Sequence, residues 1–251
     1  MLITKKNSIV ASIVCLLLFT HCKTPNEATI LLERSINAHG GKALWENVSA
    51  IRYNKKTVFY FEDGTVEKVV DQQHFNRFNP FYASQQWASE TGTYFATMAS
   101  EELQLTLDNQ PINNAEEIAA AQSSIQGAFY VFWQPYKLLD PDTQLEYLGP
   151  KKLFTNQQTV VLKATYPMTD STDIWYYFLD QQNYRVVASA VDHDGRISLI
   201  TNDAYEEKTG LFLNQKRSSY FVDQNFVPRY LRASYDYQIV SIDWKLANPE
   251  H

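Results

Sequence analysis

The stretch from Asp173 to Glu207, DIWYYFLDQQNYRVVASAVDHDGRISLITNDAYEE, reads as three consecutive antiparallel strands joined by two tight turns. Ile174, Tyr176 and Phe178 alternate with Trp175, Tyr177 and Leu179, so both faces of the first strand carry large apolar groups, unlike a strand with one wet face. Something must cover each side. Downstream the pattern continues as strand: Leu211 to Asp223, then an alternation of Leu231, Ala233, Tyr235, Tyr237 and Ile239 against Arg232, Ser234, Asp236 and Gln238, where one face is wet.

Upstream, Ala28, Leu31, Leu32, Ser35, Ile36 and His39 recur at helical spacing, and Gly40-Gly41 stops that helix, with one more turn over Lys42 to Glu46. From Ser49 the period becomes two. Val58 to Phe61 and Val66 to Val70 flank Glu62-Asp63-Gly64-Thr65, and the Asp-Gly pair predicts a type I′ hairpin turn. Further strands are expected at Gln73 to Phe78, Gly92 to Met98 and Leu103 to Leu107. A second helix begins at Asn114, a cap residue with Glu117 three positions on. Its face is Ile118, Ala121, Ile125, Phe129 and Phe132, with Gly127 within it and Pro135 beyond it. No linker or repeat divides residues 27–246, which read as a single domain. Two helices are too few to shield both faces of so many strands, so the sheet is expected to curl into an unclosed β-barrel, mainly β in class (α+β), with the helices laid across its opening.

Residues 1–21 have the form of a secretory signal, with Lys5 and Lys6 ahead of the apolar run Ile9 to Phe19, IVASIVCLLLF, which is shorter than the ~20 residues that span a bilayer. Leu18-Phe19-Thr20-His21-Cys22 resembles the lipobox of bacterial lipoproteins. That resemblance makes Cys22 the acylated first residue of the mature chain, followed by a polar tether over 22–26. Lys23 at the second mature position does not resemble the Asp that retains lipoproteins at the inner membrane. Attachment through Cys22 to the outer membrane, facing the periplasm, is expected.

Composition removes several function classes. Both cysteines, Cys15 and Cys22, lie in the first 22 residues, so the body holds no disulfide, thiolate nucleophile or cysteine metal site. Without residues 1–21 the chain has 20 basic and 28 acidic residues, a charge of −8, opposite to what a nucleic-acid binder needs. His39 next to Gly40-Gly41 has the look of an esterase oxyanion loop, but there is no Gly-x-Ser-x-Gly elbow, and the ordinary role is contact with the last helix carbonyls. His74 and Asp71 point to opposite strand faces, and Asp192-His193-Asp194-Gly195 has what a tight turn requires. No cofactor or metal is implied, and no assembled catalytic site is visible.

The order of a helix ending in Gly40-Gly41, hairpin strands and a second helix, then Trp175-Tyr176-Tyr177-Phe178-Leu179-Asp180 with Tyr184-Arg185-Val186, Asp194-Gly195-Arg196-Ile197, Tyr205 and Gly210-Leu211 before Pro228, resembles the LolA/LolB superfamily. Those proteins are periplasmic carriers and outer-membrane receptors of lipoproteins, and the likeness extends to uncharacterised lipoproteins of that form from Bacteroidetes-type bacteria. The resemblance implies an unclosed barrel with a helical lid over an acyl-chain cavity, and a part in lipid or lipoprotein trafficking. Three readings stand: a lipid-anchored protein that holds a lipid or acyl chain by area burial; a non-catalytic interaction module of an envelope complex with a filled interior; and a hydrolase-type enzyme without a recognisable motif. Under the first, the expected ligand-cavity residues are Ile125, Phe129, Phe132, Trp133, Trp175, Tyr177 and Leu179.

Overall fold

The computed structural model describes residues 26–168 and 172–245. The signal segment and Cys22 lie outside these residues. Three helices, α1 (Glu27–Ala38), α2 (Lys42–Glu46) and α3 (Ala115–Phe132), accompany thirteen strands. The first six strands are β1 (Val48–Tyr60), β2 (Val66–Phe78), β3 (Phe81–Ser89), β4 (Gly92–Ala99), β5 (Glu102–Leu107) and β6 (Gln110–Pro111). The rest are β7 (Gln144–Lys152), β8 (Gln158–Thr165), β9 (Ile174–Asp180), β10 (Val186–His193), β11 (Arg196–Glu206), β12 (Leu213–Val222) and β13 (Pro228–Trp244). All thirteen form one antiparallel sheet in the order β6-β5-β4-β3-β2-β1-β13-β12-β11-β10-β9-β8-β7. Two meanders are thus joined edge to edge where the first strand meets the last, with Val58 opposite Ser234. The sheet does not close into a barrel; its free rims are β6 and β7.

Local chemistry explains the boundaries. Asn26, assigned to the tether by sequence, instead caps α1 through Thr29 N–H at 2.8 Å. At the other end Gly41 N–H reaches Ile36 O (2.9 Å) and Gly40 N–H reaches Asn37 O (3.2 Å), a Schellman closure with Gly40 at φ +95°. Asn114 Oδ1 accepts from the amides of Glu116 and Glu117, as expected of a cap. The β1–β2 turn departs from the type I′ expectation: only Gly64 takes positive φ there, because the Asp63 carboxylate accepts from Thr65 N–H at 2.9 Å and holds its own backbone on the ordinary side. Asp194-Gly195, between β10 and β11, does take positive φ at both residues.

Curvature follows from α3. Ala121 packs with Ala96 and Met98 of β4, and Tyr130 hydrogen-bonds to the hydroxyl of Tyr177 on β9. Laid flat, the eight strand spacings between β4 and β9 would cover about 38 Å at ~4.8 Å each. The nine helical steps from Ala121 to Tyr130 rise only about 14 Å. The sheet therefore bends around the helix. On the inner face Leu162, Ala164, Tyr177 and Leu179 pack against Ala28, Leu31, Leu32 and Ile36 of α1. On the outer face Val161, Phe178, Ala188 and Leu199 are covered by Leu153 and Phe226, from the β7–β8 and β12–β13 turns. Tyr177, Phe178 and Leu179 are all 0% exposed, so β9 is indeed covered on both sides, with turns folded over the second.

Candidate functional site

The inner face is divided into a packed part and an open part. The packed part centres on Tyr53, whose ring stacks on Phe132 of α3 at 3.9 Å and on His74 at 4.5 Å. Trp45 of α2 stacks on Tyr136 and meets Trp133 edge-on. Beyond the end of α3, Gln134 Nε2 donates to Tyr177 Oη at 3.0 Å, and Tyr130 also bonds to Tyr166. Burial raises the Tyr53, Tyr130 and Tyr177 phenols well above their ordinary range, so all three remain protonated hydrogen-bonding groups.

The open part is a concavity of about 1140 Å³ that a row of side chains on four adjacent strands reaches: Trp87 of β3, Gln72 of β2, Lys55 of β1 and Tyr237 of β13. Tyr205, Glu206, Glu207 and Lys208, at the β11–β12 turn, line the same space. Trp87 and Tyr205 stand five strands apart in the sheet order, so their sharing one concavity is a second sign of curl. The volume is somewhat larger than the ~300–1,000 Å³ typical of ligand pockets.

The seven residues expected to form an apolar cavity are not one surface, and none lines this concavity. Ile125 packs with Ala83, Met98 and Leu105 on β3–β5. Phe132 and Trp133 belong to the Tyr53 cluster, with Phe129 half-buried at its edge against Phe78 and Phe81. Tyr177, Leu179 and the half-buried Trp175 face α1. Helix α3 carries Ile125, Phe129 and Phe132, with Trp133 as its C-terminal cap, and meets the third group through Tyr130, which lies 4.9 Å from Trp175. Cys22 is outside the described residues.

His39 is not a helix-end ligand of its own carbonyls. Its Nε2 accepts from Val186 N–H and its Nδ1 lies 3.2 Å from Phe212 O, so Nδ1 carries the proton and the ring ties α1 to β10 and to the start of β12. Burial lowers its pKa to about 4. His74 is also buried neutral, its pKa lowered to about 3, first by desolvation and then by Lys55. His193 and Asp173 form an exposed pair by the Asp194-Gly195 turn. Among the described residues no three His, Cys, Asp or Glu side chains gather as metal ligands, and no helix is long and apolar enough to cross a membrane.

The inner face held two cations that sequence reasoning did not single out, Lys55 and Arg217. Arg217 is 2% exposed, and its Nη2 donates to Ser189 Oγ at 3.1 Å. In NQKRSS it reads as one of a polar series, and only the pairing with β13 reveals which way it points.

An unclosed antiparallel half-barrel with helices against its inner face is the LolA-like fold. Residues 6–238 match the family of unknown function DUF6503, and the chain belongs to it. Among solved structures, the chain is similar to a LolA superfamily protein from Nitrosomonas europaea (13% identity, TM-score 0.54, 89% of this chain and 94% of that one). It is similar also to a DUF1329 family protein from Desulfovibrio piger (7% identity, TM-score 0.53, 89% and 95%). No curated protein matches the sequence.

Proposed function

We propose that this protein is a lipid-anchored component of the cell envelope that binds an apolar ligand, a lipid or acyl chain, on the inner face of its half-barrel, and acts by binding rather than by catalysis. The observation that carries this reading is the open concavity of about 1140 Å³, polar and charged over most of its lining, which meets the aromatic cluster beneath α3 at Tyr237 and Ile239. Helix α3 spans the bent sheet chiefly through rings and aliphatic groups. Its polar ties are few: the mutual Gln85–Ser124 pair, Asn214 to Val131 O, and the Tyr130 hydroxyl. Such a helix can move off the Tyr53 cluster and let a chain take the place of Phe132 and Trp133. Burying 16 methylenes at ~0.8 kcal/mol each is on the order of 10 kcal/mol gross. Acylated Cys22 would hold the protein at the outer membrane, with residues 27–246 in the periplasm.

The test is organic extraction of the purified chain starting at Lys23, with the extract identified by mass spectrometry, followed by uptake of a fluorescent fatty acid. A co-purifying lipid or saturable uptake is expected. An empty extract without uptake would favour the second reading, an interaction module of an envelope complex, for which the close stack of Phe132 on Tyr53 speaks.

A further inference from the structure

Charge is sorted across the sheet where β1, β13 and β12 run side by side. On the outer face Asp71 of β2, Lys56 of β1, Asp236 of β13 and Lys216 of β12 stand opposite one another in register, so acids alternate with bases. On the inner face the same strands place Lys55 opposite Tyr237, and Arg217 opposite Tyr235. Lys55 Nζ lies 5.3 Å from the Tyr235 ring, so the two cations flank one tyrosine. Among the described residues neither has a carboxylate within ion-pairing distance. Arg217 Nε has no hydrogen-bond partner at all.

This is a costly arrangement. A guanidinium withdrawn from water carries a desolvation penalty that the hydroxyls of Ser189 and Tyr237 do not offset, and buried charges are ordinarily paired. The two bases also oppose each other: Lys55 has its pKa lowered by burial and, further, by Arg217. The Tyr235 and Tyr237 phenols are raised by burial and so stay neutral beside them. Nor do the acids that line the concavity supply the missing charge: Asp71 and Asp236 both stand opposite Lys56 in register. Glu206 accepts from the amides of Lys208 and Thr209, and Glu207 lies 3.9 Å from Arg185. Lys55 and Tyr237 line the open concavity; Arg217 lies behind them and meets it through its hydrogen bond with Tyr237.

We infer that Lys55 and Arg217, with the hydroxyls of Tyr235 and Tyr237, receive the anionic head, a carboxylate or a phosphate, of an amphiphile whose chain lies under α3. The inference rests on the reading that the inner face takes a lipid. It adds that the ligand is an anion and that its head sits where the open concavity meets the packed interior. Two cations and neutral phenols provide charge-assisted hydrogen bonds to such a group, and the ligand would satisfy Arg217 Nε.

The chain starting at Lys23 retains every element described and is titrated with cis-parinaric acid and with its methyl ester, which has the same chain without the charge. The acid is expected to bind at least ten-fold more tightly. Lys55→Met and Arg217→Met should each remove most of that preference while leaving the ester's affinity within about two-fold. Displacement by dodecanoate and by dodecyl phosphate, with dodecanol as the neutral control, decides between a carboxylate and a phosphate head. Unfolding of the ligand-free variants gives an independent readout: with no partner acid, Arg217→Met should leave the urea midpoint unchanged or raise it. Equal binding of acid and ester by the unaltered chain overturns the anion site while leaving the lipid reading intact. A preference that persists in both variants, or a large fall in the Arg217→Met midpoint, likewise overturns it. Failure of both acid and ester to bind ends the lipid reading and this inference together.

Discussion

Lowering the pH from 7.5 to 5.0 should destabilise the fold by about 4 kcal/mol through two buried imidazoles. His39 is wedged between Val186 N–H and Phe212 O, and a proton on Nε2 would point a donor at a donor. His74 is stacked on Tyr53 with Nε2 unpartnered, and Lys55 opposes its charge. Both folded pKa values are depressed, to about 4 and about 3, against 6.5 in the unfolded chain. The stability contributed by the neutral rings is therefore complete above pH 6.5 and is lost as pH falls toward those lower values. At pH 5.0 the unfolded imidazoles are almost fully charged and the native ones almost wholly neutral, which costs about 2 kcal/mol for each residue. Native stabilities are about 5–15 kcal/mol, so this is a large share. His193 acts in the opposite sense, because pairing with Asp173 raises its pKa, but it is fully exposed. Asp63, Asp180 and Asp223 have lowered pKa values and lose their contribution only at more acid pH. The assay is urea unfolding followed by tryptophan fluorescence at the two pH values. His39→Gln and His74→Phe, which preserves the ring stack, should each remove about half of the pH-dependent loss, and the double variant nearly all of it. A loss of the same size in the double variant would refute the assignment, as would stability that does not change between pH 7.5 and 5.0.

Gly40→Ala should cost more than Gly41→Ala. Both positions have positive φ and incur backbone strain of about 1–3 kcal/mol, but a Cβ on Gly40 would lie 2.3 Å from Gly210 O, whereas one on Gly41 has nothing nearer than 3.8 Å. Equal urea midpoints for the two variants would contradict that packing of α1 on the β11–β12 turn. Cys22→Ala should abolish incorporation of radiolabelled palmitate in cells, and persistent labelling would remove Cys22 as the anchor.

Elements with a local cause were legible in the sequence. The Schellman end of α1, the Asn114 cap and the tight Asp194-Gly195 turn depend on residues within a few positions of one another, and the two-sided burial of β9 is written in its unbroken aromatic run. The partnership of β1 with β13 joins residues some 180 positions apart and leaves no local trace. That partnership sets Lys55 opposite Tyr237 on the inner face, in the row next to that of Tyr235 and Arg217. For the same reason the apolar residues of α3 could be recognised as buried without revealing that Ile125 serves β3–β5 while Phe132 serves Tyr53. Periodicity reports that a side chain is inward; pairing across the whole sheet decides what it meets.

The two rim strands explain how the sheet can remain a trough. β6 ends in Pro111, and β7 carries Pro150 beside Gly149, where the register with β8 slips. Each imino acid removes an amide from a margin that would otherwise present an unbroken ladder. The two margins are thus poor templates for a foreign strand. A sheet that stays open has to blunt both of its edges, and here a proline stands on each.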